Sequence, residues 1–272
     1  MKQRGKGKAD TAMKGFIIGG SMLVPGVSGG TMAMILGIYE SLLSAVGSFR
    51  KNIGENISFL CLFCLGALCG AVLLARPLLF LVESYPFPML YFFMGAVAGG
   101  VPLMLKKARC TGFRWRYVLC LLLGAAIVFA LSFLPENGVQ PQASPWLTAA
   151  LLLGGGALCA AALILPGISF SYMLLVLGLY DRLIAAVQGL DFVVLAPFGI
   201  GLLLGIFLLT KALEHAMQRH PGATYFIILG FLLSSVAEIF PGIPTGWNLL
   251  LCPLLFLGGA VLFWRLSLVL KE

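Results

Sequence analysis

The chain carries one apolar hairpin twice and breaks it at the same place both times. Residues 25–46, PGVSGGTMAMILGIYESLLSAV, align without a gap on residues 166–187, PGISFSYMLLVLGLYDRLIAAV, 141 positions later. Pro, Gly, Ser, Met, Leu, Gly, Tyr, Ala and Val recur in place, and an acid follows each tyrosine, Glu40 in one copy and Asp181 in the other. The repeat continues at a spacing of 135. Gly66 and Gly70 fall on Gly201 and Gly205, Arg76 on Lys211, Pro86 on Pro221 and Gly95 on Gly230. A duplicated apolar unit interrupted at matching positions is the pattern of a transporter whose binding site lies where broken helices meet. Function is to be sought at the two breaks.

Hydrocarbon surrounds those breaks. Of 272 residues, 60% are hydrophobic and 10% charged, against about a quarter charged in a soluble domain. Mean hydropathy is +1.04, and apolar runs of spanning length recur. The expected fold class is therefore an all-α polytopic membrane protein. The basic start, MKQRGKGKAD, has no small-residue cleavage site after its apolar stretch and is expected to be retained. A net charge of +8 raises nucleic acid as a partner. The cations lie in short loops and at the N-terminus, however, so they read as topology signals and lipid-headgroup contacts, with membrane lipids as partners and no nucleic acid. Seven scattered cysteines include one C-x-x-C, Cys61 and Cys64, without the second pair or histidine cluster a metal site needs. No metal and no cofactor are expected.

Loop charges set the topology. The first half, 15–135 after a basic N-terminus 1–14, reads as a hairpin over 16–48 and spans near 57–82, 88–105 and 117–134. The second half, 146–272, reads as a hairpin over 146–187 and spans near 193–213, 224–240 and 248–270. If both hairpins dip into the membrane and return, one side collects Lys2, Arg4, Lys6, Lys8 and Lys14, then Arg50 and Lys51. The same side holds Lys106, Lys107, Arg109, Arg114 and Arg116, then Arg219, Arg265 and Lys271. Loops on the other side hold no Lys or Arg. That asymmetry obeys the positive-inside bias with both termini inside. Three crossings per half then invert the second half, so the expected architecture is an inverted-topology repeat with six spans and two re-entrant hairpins. Irregular backbone at that depth must be buried in protein or face a wet cavity, so the two tips should meet inside the bundle.

The tips suit an anion. Pro25 ends the first incoming arm, Gly26, Gly29 and Gly30 leave the backbone bare, and Ser28 and Thr31 offer hydroxyls, Thr31 as a cap for the returning helix. Pro166, Gly167, Ser169 and Ser171 follow the same order in the second copy. A glycine-rich turn with hydroxyls and backbone N–H groups can cradle a phosphate. The bland alternative is a pair of helix breaks that only permit close packing. For Gly66/Gly70 and Gly201/Gly205, packing is a complete explanation.

Three cations fall outside the loop pattern: Arg76, its counterpart Lys211, and Arg182. A charge within a membrane costs at least about 2.5–3.5 kcal/mol, so each is a candidate phosphate ligand, against snorkelling to the interface. Glu40 and Asp181, with Tyr39 and Tyr180 before them, could pair with those cations, bind a coupling proton or sodium ion, or mark where each hairpin re-emerges. Glu238 reads as interfacial, and His215 and His220 as headgroup-level residues.

The segments PGVSGGT followed by ILGIYE, and PGIS followed by LGLYD, resemble the bacterial DUF368 family of polyprenyl-phosphate transporters. The resemblance covers nearly the whole chain. It implies a flippase of the bacterial cytoplasmic membrane that returns undecaprenyl phosphate, the lipid carrier of cell-envelope synthesis, to the inner leaflet. Phe170 and Ser171 stand where the first tip has Gly29 and Gly30, a departure at the second cradle. Two other readings share the scaffold. Membrane undecaprenyl-pyrophosphate phosphatases carry a related P-G-x-S-R-S signature, but Gly29 and Phe170 occupy the arginine position and no E-x-x-x-E pair occurs. A small-anion transporter would move its ion without any lipid phosphate. Catalytic residues are not expected, and the oligomeric state is open.

Overall fold

The computed structural model describes residues 7–24, 27–49, 52–108, 114–131 and 145–269. Pro25 and Gly26 of the first tip lie outside the described residues, as do Lys2, Arg4, Lys6, Arg50, Lys51, Arg109 and Lys271. Among the described residues there are twelve helices and no strand. They are α1 (Lys8–Ser21), α2 (Gly29–Ile35), α3 (Tyr39–Gly47), α4 (Ile53–Ser84), α5 (Pro86–Lys107), α6 (Trp115–Leu131), α7 (Pro145–Ile164), α8 (Phe170–Val176), α9 (Tyr180–Gly189), α10 (Phe192–Arg219), α11 (Pro221–Glu238) and α12 (Asn248–Val269).

Six helices are long and apolar enough to cross a membrane: α4, α5, α7, α10, α11 and α12. By length and composition the count is six, or up to eight if each bent pair is one span; the sequence reading counts α6 among its six and takes α7 as the incoming arm of the second hairpin. The incoming arm of the hairpin expected over 146–187 is an unbroken helix of spanning length, because nothing interrupts its apolar run before Pro166. Conversely, α6, expected as a span near 117–134, is described over 17 residues, about 25 Å at 1.5 Å per residue. Helix α1 begins at Lys8, inside the stretch read as a basic N-terminus. Lys14, counted there as a loop cation, is instead buried in α1 and ion-paired with Asp10 at 2.9 Å, one helical turn away.

Four intimate helix pairs build the bundle: α1 on α4, α7 on α10, α5 on α12 and α6 on α11. Each is closed by glycines set against the backbone of the partner. Gly66 and Gly70 lie on the carbonyls of Ala12 and Phe16, and Gly201 lies on that of Leu153. Gly95 meets Phe256, and Gly230 meets Leu121. Any Cβ at these sites would overlap a carbonyl oxygen, so small residues let backbones approach where lipid supplies no hydrophobic drive between helices. The packing reading of Gly66/Gly70 and Gly201/Gly205 agrees with these contacts.

The two repeated segments form bent helix pairs, α2 with α3 at 114° and α8 with α9 at 107°. The L-G-I-Y and L-G-L-Y motifs make the bends. Gly37 donates its N–H to Met34 O and Ile38 to Ala33 O; Gly178 donates to Leu175 O and Leu179 to Leu174 O. This crossed pair of bonds is the Schellman ending. It places the glycine in left-handed backbone, observed at φ 71° for Gly37 and 65° for Gly178. In the second copy Pro166-Gly167 follows the end of α7, and in both copies Leu-Gly ends the short helix that follows the tip. Helix α2 sits at the centre, where Met32, Met34, Ile35 and Leu36 pack among residues of α5 and α11.

Candidate functional site

Both tips face one cavity of about 520 Å³. Ser28, Gly29 and Gly30 line it from the first copy, and Gly167, Ser169, Phe170 and Ser171 from the second. The sequence places these two groups 141 residues apart; the fold brings them together.

Direct contacts fasten the tips to each other. Gly167 donates its N–H to Thr31 Oγ1 at 3.2 Å, a buried bond. Tyr39 donates its hydroxyl to Ile164 O at 2.6 Å, also buried. A Cβ on Gly30 would lie 3.3 Å from Pro166 Cα, so the bareness expected to serve a ligand there is used for the approach of the buried Pro166. Gly167 adopts φ +86°, and a Cβ on it would stand 2.5 Å from Phe231 O of α11. Only glycine satisfies both conditions without strain.

The serines begin the short helices. Ser28 Oγ accepts from Thr31 N at 3.3 Å and Ser169 Oγ from Tyr172 N at 3.3 Å. The capping role expected of Thr31 therefore belongs to Ser28, because the cap must precede the first helical residue by one. Thr31, inside the helix, turns its hydroxyl to the other tip. A capping oxygen accepts one N–H and keeps its own O–H to donate, so Ser28 and Ser169 can each offer a donor to the cavity. Ser171 is exposed there as a further hydroxyl.

The three cations stand elsewhere. Arg76 is exposed on α4, and Lys211 is exposed on α10 with Nζ 4.0 Å from the ring centroid of Phe207. Arg182 is half-buried on α9. None lines the cavity, and no Lys or Arg is among its described lining residues. Glu40 does form an ion pair, but with Lys107 of α5 at 3.1 Å rather than with any of those three, and it accepts a hydrogen bond from the Tyr225 hydroxyl of α11. Asp181 is exposed and Tyr180 half-buried at the matching bend; Tyr39 lines the cavity, whereas Tyr180 does not.

Sequence reasoning missed three polar residues of the cavity wall: Thr210 of α10 and Ser235 and Glu238 of α11. Glu238, which reads as interfacial from the sequence, lines the cavity instead. At the spacing of 135 its counterpart is Leu103, that of Ser235 is Gly100 and that of Thr210 is Ala75. A search guided by the duplication passes over residues present in one half only. The signal that remained was an acid near the end of an apolar helix, which interfacial residues also give.

Known proteins resemble the chain over most of its length. A family model described as "Undecaprenyl phosphate translocase-like" matches residues 18–247. The chain is 30% identical over 244 residues to a Staphylococcus aureus protein named polyprenyl-phosphate transporter, covering 86% of each. It is 29% identical over 245 residues to a Vibrio cholerae protein of the same name, covering 85% of this chain and 77% of the relative. No solved structure matches.

Proposed function

We propose that this chain, which belongs to the undecaprenyl phosphate translocase-like family, carries polyprenyl phosphate between the leaflets of a bacterial membrane. The observation that carries the reading is the shared cavity: hydroxyls of two tips, one from each repeat, face a single space inside an apolar bundle. Moving one unit charge into hydrocarbon costs on the order of 20 kcal/mol in the idealised limit. That barrier alone holds crossing to roughly one event per minute. A polar station at mid-depth lowers it, while the prenyl chain stays among apolar groups.

Depth supports this placement. Helix α1 has 14 residues, about 21 Å at 1.5 Å per residue, short of a hydrocarbon core of about 30 Å. A chain entering through α1 reaches its tip before it has crossed, and the second tip touches the first. The bends of 114° and 107° support two re-entrant hairpins, the second entered through α7, whose 20 residues stop short of a full crossing when the helix is tilted. The helix pairings support an inverted repeat. Exchanging the halves turns α1–α4 into α7–α10 and α5–α12 into α11–α6, so the set of close pairs maps onto itself. With the basic loops on one side, both termini are cytoplasmic. The headgroup passes from one tip to the other as the two halves alternate, driven by the lipid gradient or by a proton or sodium ion. Arg76, Lys211 and Arg182 meet the phosphate at the two ends of its path rather than at the cavity. The chain is a transporter rather than a phosphatase: no acid pair suited to hydrolysis occurs, and the cavity holds one carboxylate, Glu238, among its described lining.

The test is leaflet exchange of fluorescent undecaprenyl phosphate in liposomes. Ser28→Asp with Ser169→Asp keeps a capping oxygen at both helix starts, since aspartate caps as well as serine. It also sets negative charge against the phosphate. Wild type is expected to exchange the lipid far faster than empty liposomes, and the double variant to fold normally and lose about 100-fold in rate, as misplaced or repelled reacting groups do. Equal rates in the two proteins would place the headgroup elsewhere. Release of inorganic phosphate from the pyrophosphate form would favour the enzyme instead.

A further inference from the structure

The cavity has a second wall that the headgroup leaves unused. Away from the serines it is formed by Leu42 and Val46 of α3, Phe63 and Ala67 of α4 and Ile206 of α10. Helix α3 packs on both α4 and α10, bridging the space between them, while the main partner of α4 is α1 and that of α10 is α7. Both outer helices turn large apolar residues outward, among them Leu68 and Val72 on α4 and Leu203 and Leu208 on α10.

From this we infer that the isoprene units next to the phosphate lie along α3, and that the chain leaves the protein laterally between α4 and α10. The inference rests on the transport reading and adds the route of the tail. Two arguments carry it. First, pockets of about 300–1,000 Å³ enclose a ligand of drug size, and eleven isoprene units exceed the roughly 520 Å³ present here. Only the head-proximal part can be held, and the rest must pass out where apolar wall continues to lipid. Second, free inorganic phosphate brings charge on every side. This cavity offers it hydroxyls, one carboxylate, Glu238, a mostly apolar lining, and no Lys or Arg among the described lining residues. An amphiphile with one polar end matches both walls. A continuous apolar path also lets the tail remain in a lipid-like environment throughout the movement of the head.

The experiment uses the full chain in liposomes and an undecaprenyl phosphate analogue bearing a diazirine on the isoprene unit next to the phosphate. Irradiation is expected to label α3, α4 and α10 on the residues of this wall. Val46→Trp and Ile206→Trp, which fill the route, are expected to slow leaflet exchange about tenfold, the consequence of overpacking a close-fitting site. Leu73→Trp, on the exposed face of α4, is expected to exchange lipid as wild type does. The photolabel in the wild type decides the matter even where a tryptophan variant folds poorly. Label confined to other helices, with both filled variants as fast as wild type, overturns the tail route and leaves the transport reading intact. Label on this wall in a wild type that moves no lipid supports the binding route and overturns transport.

Discussion

The two bent helix pairs have nearly the same sequence and nearly the same local structure, yet they live in different surroundings. In each, the first short helix begins on a serine cap and ends on a Schellman glycine. In the first, Thr31 through Leu36 are all buried, Ile35 completely. In the second, Ser169 and Ser171 are exposed and Leu174 and Val176 are each 8% accessible. The first pair packs on α5, α7 and α10 as well as its own neighbours; the second packs chiefly on α7 and α10. Short-range sequence therefore sets the bend, and the partners set how firmly the bend is held. Under the alternating mechanism proposed above, this inequality has a use: one tip is fixed while the other is accessible, and the two exchange roles as the substrate passes.

The largest break of this comparison comes from Gly167. Alanine there faces left-handed backbone, costing about 1–2 kcal/mol, and a contact at 2.5 Å with Phe231 O whose relief costs about 1–3 kcal/mol. Gly30→Ala in the other tip meets Pro166 at an ordinary φ and at 3.3 Å, so a shift of a few tenths of an ångström accommodates it. Thermal unfolding in detergent should show a clear drop for Gly167→Ala and a small one for Gly30→Ala, with lipid exchange lost only in the former. A reversal would mean that the tips do not meet as described.

A smaller effect, and an equal one in both copies, is expected at the second break. Gly37→Ala and Gly178→Ala each put a Cβ on left-handed backbone, at φ 71° and 65°, for about 1–2 kcal/mol apiece. No backbone blocks Gly37, which finds only Leu103 Cδ2 at 3.7 Å. Matching losses would show that the bends are set locally. A much larger loss at Gly37 would show that burial of the first pair amplifies the strain.

What could be read from the chain divides along the same line. The two tips, the small-residue packing of Gly66 and Gly70, and the membrane class follow from spacing and composition, which act over a few residues. Capping by Ser28 rather than Thr31 turned on a single helical position. The burial of Lys14 turned on where α1 begins, and the length of α7 on an apolar run that no local signal divides. Glu238, Ser235 and Thr210 reach the cavity through the assembly of α10 and α11 around tips far away in sequence. No periodicity encodes that, and the duplication conceals it because their counterparts are Leu103, Gly100 and Ala75. The positions of Arg76, Lys211 and Arg182 escaped for a related reason. Membership of a span can be read from hydropathy, but the direction a residue faces depends on which helix packs beside it.

The smallest expected effect separates the two acids that follow the tyrosines. Glu40 bonds Lys107 and Tyr225, joining α3 to α5 and α11, and its side chain is 37% accessible. Solvent screens a pair so exposed, and its loss costs below about 1 kcal/mol. Asp181 is exposed at the matching bend. Glu40→Gln keeps an acceptor for Tyr225 while removing the charge that Lys107 meets, and Asp181→Asn changes the equivalent position in the looser pair. Thermal unfolding should fall slightly for Glu40→Gln and stay unchanged for Asp181→Asn. Under the proposed alternation, an ion pair that fastens the first bend must open when that tip becomes accessible, so Glu40→Gln should leave lipid exchange intact or speed it. Loss of exchange in Glu40→Gln at unchanged stability would assign the carboxylate to the transport chemistry itself, and make the fastened bend rather than the loose one the working half.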